Sequence, residues 1–138
     1  MRTEAIFVPV SVLALWTGAV LFMTGVRRVL AVRAGRARRD AFRLGESTDV
    51  PASVTVWNRN LMNLLEMPVL FYVACIAIYA TRMVTPGVVA LAWLYVASRL
   101  AHTMIHLTSN GVMQRFAVFA LGNVVLLAIW IWFLGRLV

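Results

Sequence analysis

The chain has 138 residues, of which 62% are hydrophobic and 13% are charged. Soluble globular domains carry about 25% charged residues, so this composition excludes an ordinary soluble domain and indicates a membrane protein. The length allows one domain, residues 1–138, with four membrane spans of about 20 residues each. The net charge of +8 comes from arginine alone. Because these arginines lie beside apolar segments, we attribute them to membrane topology and not to nucleic-acid binding.

The first predicted span covers residues 5–26, an uncharged segment that at 1.5 Å per residue crosses the roughly 30 Å hydrocarbon core. The start of the chain lacks the features of a cleaved secretory signal, so we expect this segment to be retained. A long loop, residues 27–53, follows. Its seven arginines are Arg27, Arg28, Arg33, Arg36, Arg38, Arg39 and Arg43. We interpret them as a topology signal, with binding of acidic lipid headgroups as the alternative.

Three further spans are predicted at residues 54–82, 87–107 and 112–134. The sequence Pro86-Gly87 separates the second from the third, and Ser109-Asn110-Gly111 separates the third from the fourth. Because both turns are short, neighbouring helices must be antiparallel. The fold class is therefore an all-α integral membrane protein built as a four-helix antiparallel bundle.

The arginine-rich first loop predicts the orientation of the bundle. By the positive-inside rule, loops one and three face the cytoplasm and both termini lie on the opposite side. We attribute the exclusive use of arginine to a GC-rich genome. We expect the protein to lie in the bacterial inner membrane.

Polar side chains interrupt the second span. Arg59, Asn63 and Glu66 are spaced by four and three residues, which places them within about a 60° arc of one helix face. An ionisable group at membrane depth costs about 2.5–3.5 kcal/mol on insertion scales, so it needs a partner or a function. Glu66 lies about 10 Å along the helix from Arg59, too deep for a short side chain to reach the headgroups. We expect it to face protein, and a purely structural clamp with an arginine of another helix is the alternative.

The third span is interrupted in the same way. Its uncharged run, residues 87–98, is too short to cross a bilayer. The helix must therefore carry Arg99, His102 and His106, which share one face, within or near the inner leaflet, and Arg115 follows across the next turn. Either histidine considered alone is better explained as an interfacial residue whose hydrogen bonds are satisfied. With Glu66 the one deep carboxylate, we predict no metal site.

These features together resemble the MAPEG family, membrane-associated proteins in eicosanoid and glutathione metabolism. The architecture is similar over essentially the whole chain. The motifs are confined to residues 50–72 and 99–115. The residues that carry the resemblance are Arg59, Asn63, Glu66 and Pro68 in the second span, and Arg99, His102 and Arg115 in the third and fourth. The resemblance is to the bacterial type of member. It implies a homotrimer with glutathione sites between adjacent protomers, and these sites open to the cytoplasm.

The same resemblance implies roles for individual residues. Glutathione, as a thiol co-substrate, would be held by Arg59, Asn63, Glu66, Arg99, His102 and His106. Arg115 would be the catalytic residue, because a guanidinium beside the sulfur favours the reactive thiolate. His106 stands where catalytic members carry a tyrosine, and Phe116 stands where one branch carries a hydroxyl residue.

Three functions remain open at this point. The first is a glutathione transferase or peroxidase-like enzyme acting on a lipophilic substrate that enters from the bilayer. The second is a non-catalytic trimer whose polar residues only hold the subunits together. The third is a small proton-coupled exporter, although such exporters carry their glutamate in the first helix and this chain carries Glu66 in the second.

Overall fold

The structure is a computed structural model that describes residues 2–43 and 49–138. The long helices in these residues are α1 (Phe7–Arg33), α2 (Ala52–Ala80), α3 (Pro86–Leu107) and α4 (Val112–Leu137), and two short 3₁₀ helices cover Thr3–Ile6 and Arg39–Phe42. All four long helices have the length and apolar composition needed to cross a membrane. The prediction of an all-α bundle of four membrane helices is confirmed.

Helix α1 continues past the predicted span and ends at Arg33. The helix ends there because Gly35 adopts a positive φ of 66° and closes the turn. Its N–H donates to the carbonyl of Val32 (3.0 Å), and the N–H of Arg36 donates to the carbonyl of Ala31 (2.9 Å). Helix ends are not membrane boundaries, so the limits of the spans stay predictions. Met1 and residues 44–48 of the predicted loop lie outside the described residues.

Contacts at both ends of the bundle establish the antiparallel arrangement of α1 and α2. Arg28, near the end of α1, donates to the side chain of Asn58 near the start of α2 (2.7 Å). Phe7, at the start of α1, packs edge-on against Tyr79 near the end of α2, with 4.7 Å between ring centroids. We call the end of the bundle where α1 and α3 finish and α2 and α4 begin the loop-one end.

Helices α2 and α3 occupy the centre of the bundle, since each of them contacts the other three helices. The apolar core takes side chains from all four helices, among them Leu13, Phe71, Tyr95 and Ile129. The half of α3 nearer the loop-one end is different, because its inward face is polar. Its buried residues are Ser98, Arg99, His102, Thr103 and His106.

Arg99 is the largest of these buried polar residues, with 2% of its surface exposed. Its Nη2 donates to Oδ1 of Asn123 on α4 (2.7 Å). Its guanidinium carbon lies 4.8 Å from the ring centroid of Tyr95 and 5.1 Å from that of Phe119. One charge-assisted hydrogen bond and two aromatic faces thus surround this cation, while its Nε and Nη1 are buried without a hydrogen-bond partner among the described residues.

Gly122 makes room for Arg99. A Cβ at this position would lie 2.5 Å from Oγ of Ser98 and 2.9 Å from Nη2 of Arg99, closer than side chains tolerate. The absence of a side chain lets α4 approach α3 while the guanidinium lies between them. Glycine is required here for close packing of two helices.

We expect Gly122→Ala to destabilise the protein by about 1–3 kcal/mol, because the added methyl group displaces Arg99 in a closely packed site. Gly18→Ala is the matched control, since nothing lies within 4 Å of a Cβ at that helical position. The control should leave stability unchanged or raise it slightly. Unfolding by sodium dodecyl sulfate, followed by tryptophan fluorescence, measures both variants. Equal stability of the two variants would contradict this packing explanation.

Candidate functional site

An open groove of about 420 Å³ lies at the loop-one end between α2, α3 and α4. We call it the polar groove. Its polar lining consists of Arg59, Asn63, His102, His106 and Arg115. Its apolar lining consists of Met62, Val112, Phe116 and Phe119. The volume lies within the range of small-molecule sites.

The polar groove unites most of the residues that the sequence predicts for the site, but two of them lie elsewhere. Arg99 is buried behind the groove wall, where it contacts Phe119, and does not line the groove. Glu66 is exposed on the outer surface of α2 and forms no ion pair with any residue in the described part of the chain. The clamp between Glu66 and an arginine is therefore not formed within one subunit, as far as the described residues extend.

Arg115 is held in the first turn of α4 by two neighbours. Its Nη1 donates to Oδ1 of Asn110 (2.6 Å) and lies 3.5 Å from Nε2 of His106. A guanidinium can only donate, so Nε2 of His106 must be the acceptor and the proton of the neutral ring is assigned to Nδ1. This Nδ1 is buried and has no hydrogen-bond partner among the described residues. Unsatisfied buried groups of this kind are concentrated at functional sites.

Arg59 and Asn63 form the α2 side of the groove. Nδ2 of Asn63 donates to the backbone carbonyl of Arg59 (3.1 Å), one helical turn earlier. This bond orients the amide and leaves its Oδ1 available to a ligand. The guanidinium of Arg59 is exposed and is free to contact an anion that enters the groove.

The electrostatics of the polar groove are one-sided. Two arginines line it, and the described residues of its lining include no carboxylate. The N-terminus of α4, which begins at Val112, adds its partial positive charge at the same place. The groove is therefore suited to an anionic ligand.

The two histidines of the groove lie close to each other. The rings of His102 and His106 are perpendicular, with 5.6 Å between their centroids. Across residues 2–43 and 49–138, no group of three or more histidine, cysteine, aspartate or glutamate residues could hold a metal ion.

The sequence analysis did not predict the part that some residues of this region play in the structure. Asn60 is fully buried beside Arg59, and neither atom of its amide has a partner in the described residues. Gly122 and Asn123 receive Arg99, and Asn110 holds Arg115. The Gly-Asn pair in the middle of an apolar span is the one signal that could have revealed part of this arrangement.

Asn110 has two functions that substitution can separate. Its φ of 49° lies in the left-handed region, and its side chain holds Arg115. Asn110→Gly keeps the backbone and loses the hydrogen bond, whereas Asn110→Ala also strains the backbone. We expect the alanine variant to be less stable than the glycine variant by about 1 kcal/mol, measured as above. Equal stability would contradict a backbone role for this residue.

Comparison with known proteins identifies a family and no individual relative. The model of the MAPEG family matches residues 6–135, which is nearly the whole chain. The match confirms the resemblance drawn from the sequence. No curated protein and no solved structure matches this chain.

Proposed function

The chain belongs to the MAPEG family, and on that premise we propose that the polar groove binds glutathione, or a similar small thiol, and activates it. The activated thiol is conjugated to a lipophilic electrophile, or two thiols reduce a lipophilic peroxide to an alcohol and water and are oxidised to a disulfide. The observation that supports the proposal is that Arg59 and Arg115 both line a groove where residues 2–43 and 49–138 contribute no carboxylate. Glutathione is an anionic peptide, and guanidinium groups bind carboxylates in paired hydrogen bonds.

Arg115 is the residue that we assign to activation of the sulfur. A thiol with an ordinary pKa of about 8.5 is mostly protonated at neutral pH, and only the thiolate is a strong nucleophile. Asn110 and His106 occupy Nη1 of Arg115, so its remaining N–H groups are available to a thiolate. In a conjugation by substitution, the thiolate forms an S–C bond, the leaving group departs with the electron pair of its broken bond to carbon, and the thiol proton passes to solvent. In a conjugation by addition to an activated alkene, the π electron pair moves to carbon, and this carbon takes up a proton.

The apolar lining supplies a place for the second substrate. Val112 and Phe116 are 67% and 64% exposed, respectively, on the surface of one subunit beside Arg115. A lipophilic molecule can reach this surface from the bilayer without crossing water. The thiol and the lipophilic substrate would then meet at the boundary between the polar and the apolar lining.

A homotrimer is part of the proposal, and Glu66 supports it. A carboxylate exposed to lipid costs about 2.5–3.5 kcal/mol, so a second subunit that covers this part of α2 removes an unfavourable contact. Glu66 is exposed in the single subunit together with neighbouring apolar residues of α2, such as Leu65 and Val69. Covered by a partner, Glu66 could also contact the ammonium group of glutathione.

We expect Arg115→Gln and Arg59→Gln to weaken glutathione binding roughly tenfold to hundredfold, because each loses a charge-assisted hydrogen bond worth about 1.5–3 kcal/mol. Isothermal titration calorimetry on the detergent-purified protein measures the affinity. Arg136→Gln is the matched control, because it removes one charge from the opposite end of α4, where the guanidinium carbon lies 5.4 Å from the ring centroid of Trp132. The proposal fails if the wild-type protein binds neither glutathione nor another small thiol, or if all three variants lose affinity equally.

A non-catalytic trimer is the second candidate, and the exposure of Glu66 favours it equally. In that case Glu66→Gln converts the trimer to monomers, and no thiol binding exists to be lost. If the protein is the proposed enzyme, Glu66→Gln weakens thiol binding while the protein still forms trimers. If Glu66→Gln instead separates the subunits, thiol binding returns when a high protein concentration restores the trimers. Analytical ultracentrifugation measures the oligomeric state and calorimetry measures thiol binding, and together they distinguish the two candidates.

A further inference from the structure

A second hollow, of about 440 Å³, lies at the loop-one end of α1, outside the polar groove. Its lining residues are Arg28, Val29, Val32, Arg33, Arg39 and Phe42. It forms because the chain reverses at Gly35 and returns over the last turns of α1. We call it the arginine hollow.

A small satellite core fixes the shape of the arginine hollow. Ala31, Val50 and Val54 are buried together, and Ala41 and Phe42 pack against them. The first loop is therefore attached to α1 and α2 by apolar contacts. Arg28 is held as well, because it donates to Asn58 (2.7 Å) and its guanidinium carbon lies 5.3 Å from the ring centroid of Phe42.

The arginine hollow is cationic. Arg33 and Arg39 are exposed and have no acidic partner among the described residues. The one acidic residue within the 3₁₀ helix, Asp40, is paired with Arg38 outside the hollow (2.9 Å). The planar donors of a guanidinium group match the oxygen geometry of a phosphate diester.

An apolar surface continues from the arginine hollow along the outer face of α1. A shallow hollow of about 490 Å³ is lined by Leu21, Phe22, Gly25, Val26, Val29 and Leu30, and it shares Val29 and Arg33 with the arginine hollow. Nothing lies within 4 Å of a Cβ at Gly25, so the surface is open there. From residue 21 to residue 33 it spans about 18 Å, close to half the thickness of a bilayer.

From this arrangement we propose that α1 and the first loop bind one anionic phospholipid. Its phosphate contacts Arg33 and Arg39, and an acyl chain lies on the apolar surface past Gly25. A phosphate group joined to a long apolar chain is the ligand that matches both hollows at once. The site is independent of the thiol reaction.

Native mass spectrometry of the detergent-purified protein tests the site, with phosphatidylglycerol and phosphatidylcholine of identical acyl chains as probes. The wild-type protein should retain phosphatidylglycerol preferentially. Arg33→Gln combined with Arg39→Gln should weaken that binding on the order of tenfold, since each arginine near an anionic surface contributes about 1 kcal/mol. The matched control is Arg36→Gln combined with Arg43→Gln, which removes the same charge outside the arginine hollow and should retain the preference. Equal loss in the two double variants would indicate diffuse attraction and overturn the proposal.

The apolar part of the site has its own test. Gly25→Phe fills the surface and should weaken retention of phosphatidylglycerol several-fold, whereas Gly18→Phe, equally open and outside the surface, should not. The proposal is overturned if Gly25→Phe changes the oligomeric mass and leaves lipid retention intact, because a second subunit then covers the surface. Displacement of the lipid by an excess of inorganic phosphate would also overturn it, since the acyl chain would then contribute nothing.

Discussion

The burial of Arg99 is the constraint on which the rest of the bundle depends. A cation inside a membrane protein needs oriented dipoles and π faces in place of water, and here Asn123, Tyr95 and Phe119 supply them. Gly122 is required because the guanidinium occupies the space of its side chain. These contacts fix the rotation of α3 against α4. They also fix Phe119, which contacts Arg99 on one side and lines the polar groove on the other.

Arginines at the loop-one end fall into three environments. Arg99 is buried between α3 and α4, Arg59 and Arg115 line the polar groove, and Arg33 and Arg39 line the arginine hollow. The same side chain serves each place because it remains charged in a medium of low dielectric constant and presents several donors in a plane.

Helical spacing predicted much of this arrangement from sequence, as the shared inward face of His102 and His106 illustrates. The spacing of Arg59, Asn63 and Glu66 on α2 did not show that these residues lie on two different surfaces of the bundle. The arc of α2 that carries them crosses the edge of the polar groove, so Arg59 and Asn63 line the groove while Glu66 lies on the outer surface. The partners of Arg99 were also not predicted. A contact between α3 and α4 depends on how the two helices are rotated against each other, and the periodicity of a single helix carries no information about that rotation. The hydrogen bond from Arg115 to Asn110 likewise depends on a left-handed backbone conformation at a turn.

The central claim is that the polar groove stabilises a bound thiolate. Ultraviolet absorbance of the thiolate, recorded while glutathione is titrated with base in the presence of saturating protein, tests it most directly. The account predicts that the pKa of bound glutathione falls below the ordinary thiol value of about 8.5, and that Arg115→Gln protein, at a concentration that also saturates the ligand, restores the ordinary value. An unchanged pKa for glutathione bound to the wild-type protein would contradict it.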